Sequence, residues 1–114
     1  MRNGKQVIYI SGAISGTDDY IERFKRAEEH FKFMEWAVIN PAEILNPLKD
    51  VLDYETMMDI NFKLLDYADA IYMLKGWEQS RGANRELGFA LGSCKEIIYQ
   101  TDNDINYQKQ EAAT

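Results

Sequence analysis

Cysteine and histidine are almost absent from the sequence, which has one of each, Cys94 and His30. A single cysteine cannot form an internal disulfide, which is typical of a protein in a reducing compartment. One histidine and one cysteine are also too few for a transition-metal site, and they do not build a Ser-His-Asp or Cys-His arrangement. We therefore expect no metal site and no histidine-activated nucleophile.

Long apolar runs are missing too, and none approaches the roughly 18 residues that a membrane span needs. The first residues, MRNGKQ, lead directly into a strand-like run, so we expect no signal peptide and a cytoplasmic protein. Positive charge is in the minority, because 13 Lys and Arg stand against 19 Asp and Glu. An acidic chain is a poor partner for a nucleic-acid polymer, although local cations and backbone amides can still hold a small anion.

Proline and glycine are sparse, with 2 and 7 residues, so no linker divides the 114-residue chain. Hydrophobic residues make up 46% and charged residues 28%, a globular mixture that excludes disorder as the main state. We predict one α/β domain over residues 1–100. A polar tail over residues 101–114, partly disordered or weakly helical, follows it.

Four short apolar runs are typical of strands covered on both faces, at residues 6–10, 37–40, 70–74 and 96–99. Apolar residues at helical spacing lie between them. The first helix begins at Asp18 or Asp19, ends near Trp36 and has the stripe Tyr20, Phe24, Ala27, Phe31 and Met34. The second follows an Asp53 cap and has the stripe Met57, Ile60, Leu64 and Tyr67.

The third helix covers residues 82–91, with Gly92 as its C-terminal stop. Residues 41–52 are predicted to be irregular because of their prolines. Alternating strands and helices predict an α/β domain with a doubly wound, flavodoxin-like or Rossmann-like sheet. We expect about four to five mostly parallel strands with helices on both faces. Ligands bind such sheets at the carboxyl ends of the strands, which draws attention to loops 11–17, 40–52 and 75–82. A second copy could cover the outer helix faces, so we expect a homo-oligomer, such as a homodimer.

The loop after the first strand contains Gly12 and Gly16 among hydroxyl residues that include Ser11. Backbone amides in such a loop can approach an anion at the next helix. The alternative interpretation is a tight turn that needs glycine. The loop has neither the dinucleotide fingerprint nor a P-loop lysine, so both of those classes are excluded.

The loop after the third strand places Ser80, Arg81 and the amide of Gly82 at a helix N-terminus, where an anion is stabilised. Glu86 lies in the first turns of that helix, as a reactive carboxylate or simply as a favourable N-terminal residue. Trp77 could stack on a nucleobase or pack on the fold as a lid.

Asp59 and Asn61 lie on the second helix, beside its predicted apolar stripe. Asp59 is next to Ile60, so we place it at the edge of the buried face, with a solvated surface residue as the alternative. If the fold brings Asp59 and Glu86 together, the two carboxyl groups could divide acid and nucleophile roles, as in glycoside chemistry.

Three motifs in this order resemble the nucleoside 2-deoxyribosyltransferase family, which includes 2'-deoxynucleoside 5'-monophosphate N-glycosidases. They are YISGAISG at residues 9–16, Asp-Ile-Asn at residues 59–61 and SRGANRELG at residues 80–88. The similarity extends from about Val7 to Tyr99. Each motif is loose, but their order and spacing together are fairly specific.

The resemblance implies that Glu86 attacks C1' of the sugar and forms a covalent glycosyl ester. It implies that Asp59 assists departure of the base or positions the sugar, and that Tyr9 holds Glu86. It further implies that Ser80 binds a 5'-phosphate. The substrate-binding residues expected from the resemblance and the loops together are Ser11, Gly12, Ile14, Gly16, Asn61, Trp77, Ser80, Arg81 and Gly82. Family members need no cofactor, and a neighbouring subunit completes their pocket.

Three functions stay open at this point. The first is hydrolysis of the N-glycosidic bond, or base transfer, on deoxyribonucleotides or deoxyribonucleosides, and Arg81 and Arg85 favour the nucleotide. The second is a non-catalytic nucleotide-binding or sensing module, because the chain ends about 15 residues after the fourth strand, where the family has a fifth strand. The third, a ribonucleotide phosphoribohydrolase of the lysine-decarboxylase-like fold, ranks last because its Pro-Gly-Gly-x-Gly-Thr loop is missing.

Overall fold

The computed structural model describes residues 4–102, which contain four strands and four α-helices. The strands are β1 (Val7–Ser11), β2 (Ala37–Ile39), β3 (Ala70–Met73) and β4 (Glu96–Tyr99). The helices are α1 (Tyr20–Phe33), α2 (Pro41–Leu45), α3 (Tyr54–Asp66) and α4 (Arg81–Gly92). Short 3-10 turns lie at Asn46–Leu48 and Trp77–Gln79. All but the first two residues of the predicted tail lie outside the described part of the chain.

The strands form one parallel sheet in the order β2-β1-β3-β4. The chain moves from β1 to β2 on one side and then crosses back to β3 on the other side of β1. The connections therefore reverse direction between β1 and β3, and this switch point opens a crevice at the carboxyl ends of these two strands. The predicted doubly wound, Rossmann-like α/β fold is confirmed.

The strands are apolar on both faces because helices cover both sides of the sheet. Ile8 and Ile10 of β1 pack with Phe24 and Phe31 of α1 in one core cluster. Val7 and Tyr9 point to the opposite face, where the core includes residues of α3 and α4: Leu65, Ala83, Leu87 and Ala90. The odd-numbered residues of β1 therefore lie under α3 and α4, which decides where Tyr9 and Ser11 point.

The prediction that residues 41–52 are irregular was wrong, because α2 and a 3-10 turn begin directly after β2. The Asn40 side chain accepts a hydrogen bond from the backbone amide of Glu43, and Pro41 occupies the first helical turn. Proline is well tolerated at that position, since the first-turn amide has no partner within the helix. Asn40-Pro41 is thus a helix start, not a break.

The apolar stripe predicted for α3 is offset by one residue from the most deeply buried face of that helix, and three of its four residues are half-buried: Met57, Ile60 and Leu64. Met58 and Leu65 are buried, whereas Tyr67 is 66% exposed. The Asp53 cap is confirmed, because its carboxylate accepts a hydrogen bond from the Thr56 amide. The helix carries two overlapping apolar stripes, and the one that packs is displaced by one residue, which is about 100° around the helix axis.

The ends of α1 and α4 also differ from their predictions. Helix α1 ends at Phe33 instead of near Trp36, and Met34 is 52% exposed. Gly92 is still helical, and the left-handed residue that follows α4 is Cys94, with φ of 58°. Asp19 precedes α1 without capping it through its side chain and instead accepts a hydrogen bond from Arg23. Neither these helices nor the others between residues 4 and 102 are long and apolar enough to cross a membrane.

Candidate active site

A cavity of about 480 Å³ opens at the carboxyl edge of the sheet, at the switch point. Its walls come from the loop after β1, from α2 with the turn that follows it, from α3 and from the start of α4. The lining residues are Gly12, Ile14, Ser15, Tyr20, Pro41, Ala42, Leu45, Asn46, Lys49, Tyr54, Met57, Met58, Asn61, Gln79, Ser80, Arg81, Gly82, Ala83 and Glu86. Residues from all three predicted loop regions are therefore brought to one site.

Glu86 is the buried carboxyl group of this cavity, and it is only 5% exposed. Tyr9 donates its hydroxyl to Oε2 at 2.5 Å, and Ser11 donates its hydroxyl to Oε1 at 2.6 Å. Both donors reach Glu86 because side chains two residues apart on a strand point to the same face. Glu86 meets them from α4, which packs on that face of the sheet.

Asn61 also forms a side-chain hydrogen bond with Glu86. Since an ionised carboxylate only accepts, the donor is the Asn61 Nδ2 group. Asn61 is half-buried because the face of α3 that packs on the fold contains Met58, Asn61 and Leu65. All three donors to Glu86 are uncharged, so the carboxylate is held in place without a neutralising cation.

The pKa of Glu86 is raised to about 7, because burial disfavours the charged carboxylate. The hydrogen bonds from Ser11, Tyr9 and Asn61 favour the charged form and only partly offset that effect. Burial and the neighbouring Glu86 carboxylate raise the pKa of Tyr9 well above its ordinary value. Tyr9 therefore stays protonated and acts as a donor.

Ser80 is the N-cap of α4, and its Oγ accepts a hydrogen bond from the Ala83 amide at 3.1 Å. The first backbone amides of a helix have no hydrogen-bond acceptor within the helix, and Ser80 provides one of them with an acceptor. Ser80 and Gly82 both line the cavity, so the start of α4 lies where the sequence predicted it.

The two arginines of this region both lie over the Tyr54 ring and both form an ion pair with Glu55, but only Arg81 lines the cavity. Arg81 lines the cavity, is mostly exposed and stands 4.8 Å above the ring of Tyr54. Arg85 makes two hydrogen bonds of 3.2 Å to the Glu55 carboxylate and is not among the cavity-lining residues. Lys49, which the sequence interpretation did not identify, is the second cation of the lining.

The loop after β1 reaches the cavity through Gly12 and Ile14, whereas Gly16 is exposed and lies outside the lining. Gly16 adopts a left-handed φ of 79°, which fits the tight-turn interpretation. Gly12 is required by packing, because a Cβ there would lie 2.9 Å from the Cβ of Leu74. Packing therefore accounts for Gly12, and backbone conformation accounts for Gly16.

Besides Gly16, two predicted site residues neither line the cavity nor contact Glu86: Asp59 and Trp77. Asp59 is exposed, because the displacement of the buried stripe turns it away from Glu86. Trp77 is half-buried, packs on the core under α3 and α4 and lies 5.9 Å from the ring of Tyr99. Its position corresponds to the alternative interpretation, in which the ring packs on the fold.

The sequence analysis missed the apolar part of the cavity lining, to which α2 contributes Pro41, Ala42 and Leu45 and α3 contributes Met57 and Met58. The Asn40-Pro41 start signal could have revealed α2. Nothing local to the sequence shows that α2 and α3 line the same cavity. Among residues 4–102, no group of three or more His, Cys, Asp or Glu side chains is arranged to hold a metal ion.

This arrangement combines a buried carboxyl group with pKa near neutrality, a polar helix start and an apolar wall. Such a carboxyl group can act as a nucleophile when ionised or as an acid when protonated. The helix start can hold an anionic group, and the apolar wall can hold a flat ring. The site is therefore equipped for a ligand that has both a polar and an apolar part.

No curated protein matches the chain significantly in sequence. The family model described as "Domain of unknown function (DUF4406)" matches residues 6–99. This range includes all four strands and all four helices described above, together with Glu86 and its three donors. The chain therefore belongs to the DUF4406 family.

Proposed function

We propose that the protein cleaves the N-glycosidic bond of a 2'-deoxyribonucleotide or deoxyribonucleoside, by hydrolysis or by transfer of the sugar to a second base. The observation that carries the proposal is the Glu86 carboxyl group, which is buried in the cavity and held by the neutral donors Tyr9, Ser11 and Asn61. Breaking a C1'–N bond develops positive charge on the sugar, and a positioned carboxylate stabilises that charge.

In the proposed first step, a carboxylate oxygen of Glu86 forms a bond to C1' while the C1'–N bond breaks. The electron pair of the broken bond passes to the base, which takes up a proton from solvent. Water then attacks C1' of the glycosyl ester, a proton is released to solvent and Glu86 leaves as a carboxylate. In a transfer reaction, the nitrogen of a second base takes the place of water.

The two halves of the cavity support this assignment. Leu45, Met57 and Met58 supply an apolar surface of the kind that binds a nucleobase, and methionine adapts to different ring shapes. Arg81 and the start of α4 supply the positive end that suits a 5'-phosphate. Ser80 can contribute through its hydroxyl hydrogen, since its Oγ already accepts from Ala83.

A non-catalytic nucleotide-binding module is the second candidate, and the position of Asp59 favours it. Asp59 is exposed and outside the cavity, so the acid expected to assist the leaving base is not beside Glu86 in one chain. Such a module would keep the cavity and bind the same ligands without turnover.

The deciding experiment is an incubation of the protein with deoxyribonucleosides and their 5'-monophosphates, with and without a second base. Chromatography would follow released and exchanged base, with Glu86→Ala as the variant. Release that depends on Glu86 supports the hydrolase, and exchange supports the transferase. Binding without turnover, unchanged in Glu86→Gln, would favour the binding module instead.

The proposal also includes a cytoplasmic location and a homo-oligomer. The exposed apolar residues Phe33, at 70%, and Val51, at 75%, fit contact with another copy. Light scattering over a range of protein concentrations would measure the assembly, and a mass of one chain throughout would contradict the oligomer.

A further inference from the structure

Asn40 uses both ends of its side-chain amide, although the residue is only 5% exposed. Its Oδ1 atom accepts a hydrogen bond from the backbone amide of Glu43 at 3.2 Å, and its Nδ2 group donates to Oε1 of Glu28 at 3.0 Å. A backbone amide can only donate and a carboxylate can only accept, so the two partners together fix the orientation of the Asn40 amide. One side chain therefore joins the start of α2 to the buried face of α1.

Helix α2 depends on such contacts because it has only five residues. Isolated helices of that length do not persist in water, and caps and tertiary packing have to stabilise them. The Asn40 carbonyl accepts the first backbone hydrogen bond of the helix, from Ile44 at 3.1 Å, and the Asn40 side chain accepts from Glu43. Asn40 thus supplies both of the acceptors with which α2 begins.

The other end of the Asn40 amide is bonded to a residue that is itself anchored in the fold. Glu28 shares the buried face of α1 with Phe24 and Phe31, which pack against β1. The second carboxylate oxygen of Glu28 accepts a hydrogen bond from Lys32 at 2.6 Å. Hydrogen bonds restrict distance and direction, whereas apolar contacts are not directional. The bond to Glu28 therefore determines how α2 is placed relative to α1.

The placement of α2 matters for the cavity because of the residues that this helix contributes to it. Pro41, Ala42 and Leu45 are the buried residues of α2, and all three line the cavity. Asn40 is not among the lining residues, so its effect on a ligand passes through these three. Glu86 lies on α4, and its hydroxyl donors lie on β1. A shift of α2 would therefore change the apolar lining and leave the reactive carboxyl group in place.

We infer that Asn40 is a positioning residue that sets the affinity of the cavity for the apolar ring of its ligand. By holding α2 against α1, it keeps the three lining residues of α2 where a flat ring can pack on them. The inference rests on the proposed function for the identity of that ring as a nucleobase. The phosphate stays with Arg81 and the start of α4, which Asn40 does not position.

Two substitutions test the link, because both keep a cap for α2 and remove the donor to Glu28. Asn40→Asp keeps one oxygen for the Glu43 amide and turns a second oxygen toward the carboxylate, where the two acceptors repel each other. Asn40→Ser caps the helix with a shorter side chain that does not reach Glu28, and it adds no charge. The matched control is Lys25→Met, since Lys25 also joins α1 to α2, through an exposed ion pair of 3.7 Å with Glu43. Exposed ion pairs contribute little.

The measurement compares 2'-deoxyadenosine 5'-monophosphate with 2-deoxyribose 5-phosphate, which lacks the base, and repeats the comparison with the other bases. Dissociation constants are measured in a Glu86→Gln background, and kcat and KM with Glu86 present. We expect both Asn40 variants to bind the nucleotide roughly tenfold more weakly, while kcat and the affinity for the sugar phosphate stay within about twofold. Lys25→Met should match the wild type. A merely structural role would lower the active fraction and with it the apparent kcat, without separating the two ligands.

Equal weakening of both ligands, or no change in either, would overturn the inference, and so would unfolding of both Asn40 variants as judged by circular dichroism. If the wild type binds the nucleotide without cleaving it, the proposed function fails, and the dissociation constants alone decide the inference. If the wild type cleaves the nucleotide and the Asn40 variants keep its KM, the inference fails and the proposed function stands. Absence of nucleotide binding by the wild type would overturn both.

Discussion

Glu86 and Glu28 are both buried glutamates, with 5% and 7% of their surface exposed, but they lie on opposite sides of the sheet. Glu28 belongs to α1, where Lys32 donates to it at 2.6 Å and Asn40 donates at 3.0 Å. Glu86 belongs to α4 and receives hydrogen bonds only from uncharged groups. The two sites differ in the charge of their partners and also in depth, because Glu86 lies deeper in the fold than Glu28.

That difference sends the two pKa values in opposite directions. Burial raises the pKa of Glu28, but the hydrogen bonds from Lys32 and Asn40 and the charge of Lys32 outweigh it, so the pKa is lower than usual. Burial raises the pKa of Glu86 to about 7, since no cation offsets it. A paired glutamate serves structure, because Asn40 also caps α2. A glutamate left without a cation keeps its reactivity for a ligand.

The largest expected effect comes from replacing each glutamate by glutamine. Glu86→Gln removes the proposed nucleophile, so kcat should fall roughly a thousandfold or more, whereas Glu28→Gln should stay within about tenfold of the wild type. Steady-state kinetics on the substrate found in the panel would measure both, with circular dichroism to verify folding. If kcat fell by a comparable factor in the two variants, the functional distinction between the two glutamates would be contradicted.

The free energy of unfolding should respond to pH in opposite directions at the two sites. In the folded protein the pKa of Glu86 is about 7, which is higher than the value of about 4.5 in the unfolded chain. The stability that protonated Glu86 contributes is therefore fully present at low pH and is lost as the pH rises through 7. Glu86→Gln does not titrate, so its stability relative to the wild type should increase by about 3 kcal/mol between pH 4 and pH 8.

For Glu28→Gln the sign is reversed, because the folded pKa of Glu28 is lowered. Its contribution is present above the unfolded pKa and is lost as the pH falls through the folded pKa, so this variant should be least stable relative to the wild type near neutral pH. Urea titrations across the pH range would measure both variants. If the free energy of unfolding relative to the wild type changed with pH in the same direction for both variants, the charge of the partners would not explain the difference between the two sites.

Tyr9→Phe tests the support of Glu86 by a neutral donor. A hydrogen bond to a charged group is worth about 1.5–3 kcal/mol, so the pKa of Glu86 should rise by roughly one to two units. The rising limb of the pH profile of kcat/KM should move to higher pH by the same amount. Ser11→Ala is the matched variant on the other carboxylate oxygen. An unchanged limb in both would mean that these hydroxyls do not hold the nucleophile.

The smallest expected effect comes from Lys32→Met, which gives Glu28 surroundings more like those of Glu86. The pKa of Glu28 should rise, because the charge that lowers it is gone. The rise is limited by solvent screening, since the Lys32 side chain is 59% exposed. Carbon-13 NMR of the Glu28 carboxyl group would follow its titration. A midpoint that does not move would assign the lowered pKa to Asn40 instead.

Local signals in the sequence were sufficient for most of the fold. The four strands could be predicted because consecutive apolar, β-branched residues rarely occur elsewhere, and Asp53 was recognised as a cap from its position before an apolar stripe. The start of α2 was missed because Pro41 was interpreted as a breaker. Its N-terminal role depends on Asn40, one residue earlier.

The site could be predicted only in part. Glu86, Tyr9, Ser11 and Asn61 were all identified, and the structure brings them together. Asp59 was placed beside the buried face of α3, but that face is displaced by one residue and Asp59 is exposed. The helix has two usable apolar stripes, and its own sequence does not choose between them. The choice depends on contacts with α4, such as the stacking of Phe62 on Phe89 at 5.3 Å.

The sequence by itself determined the alternation of four strands with the three longer helices, the parallel sheet and the end of the sheet at which a site could form. These features follow from hydrophobic periodicity and capping, which act over a few residues. Only the tertiary structure decided that Glu86 has neutral partners, one of them 77 residues away, and that Glu28 has a cation. The pKa of a buried carboxyl group depends on which groups surround it in space, and spacing along the chain does not specify them.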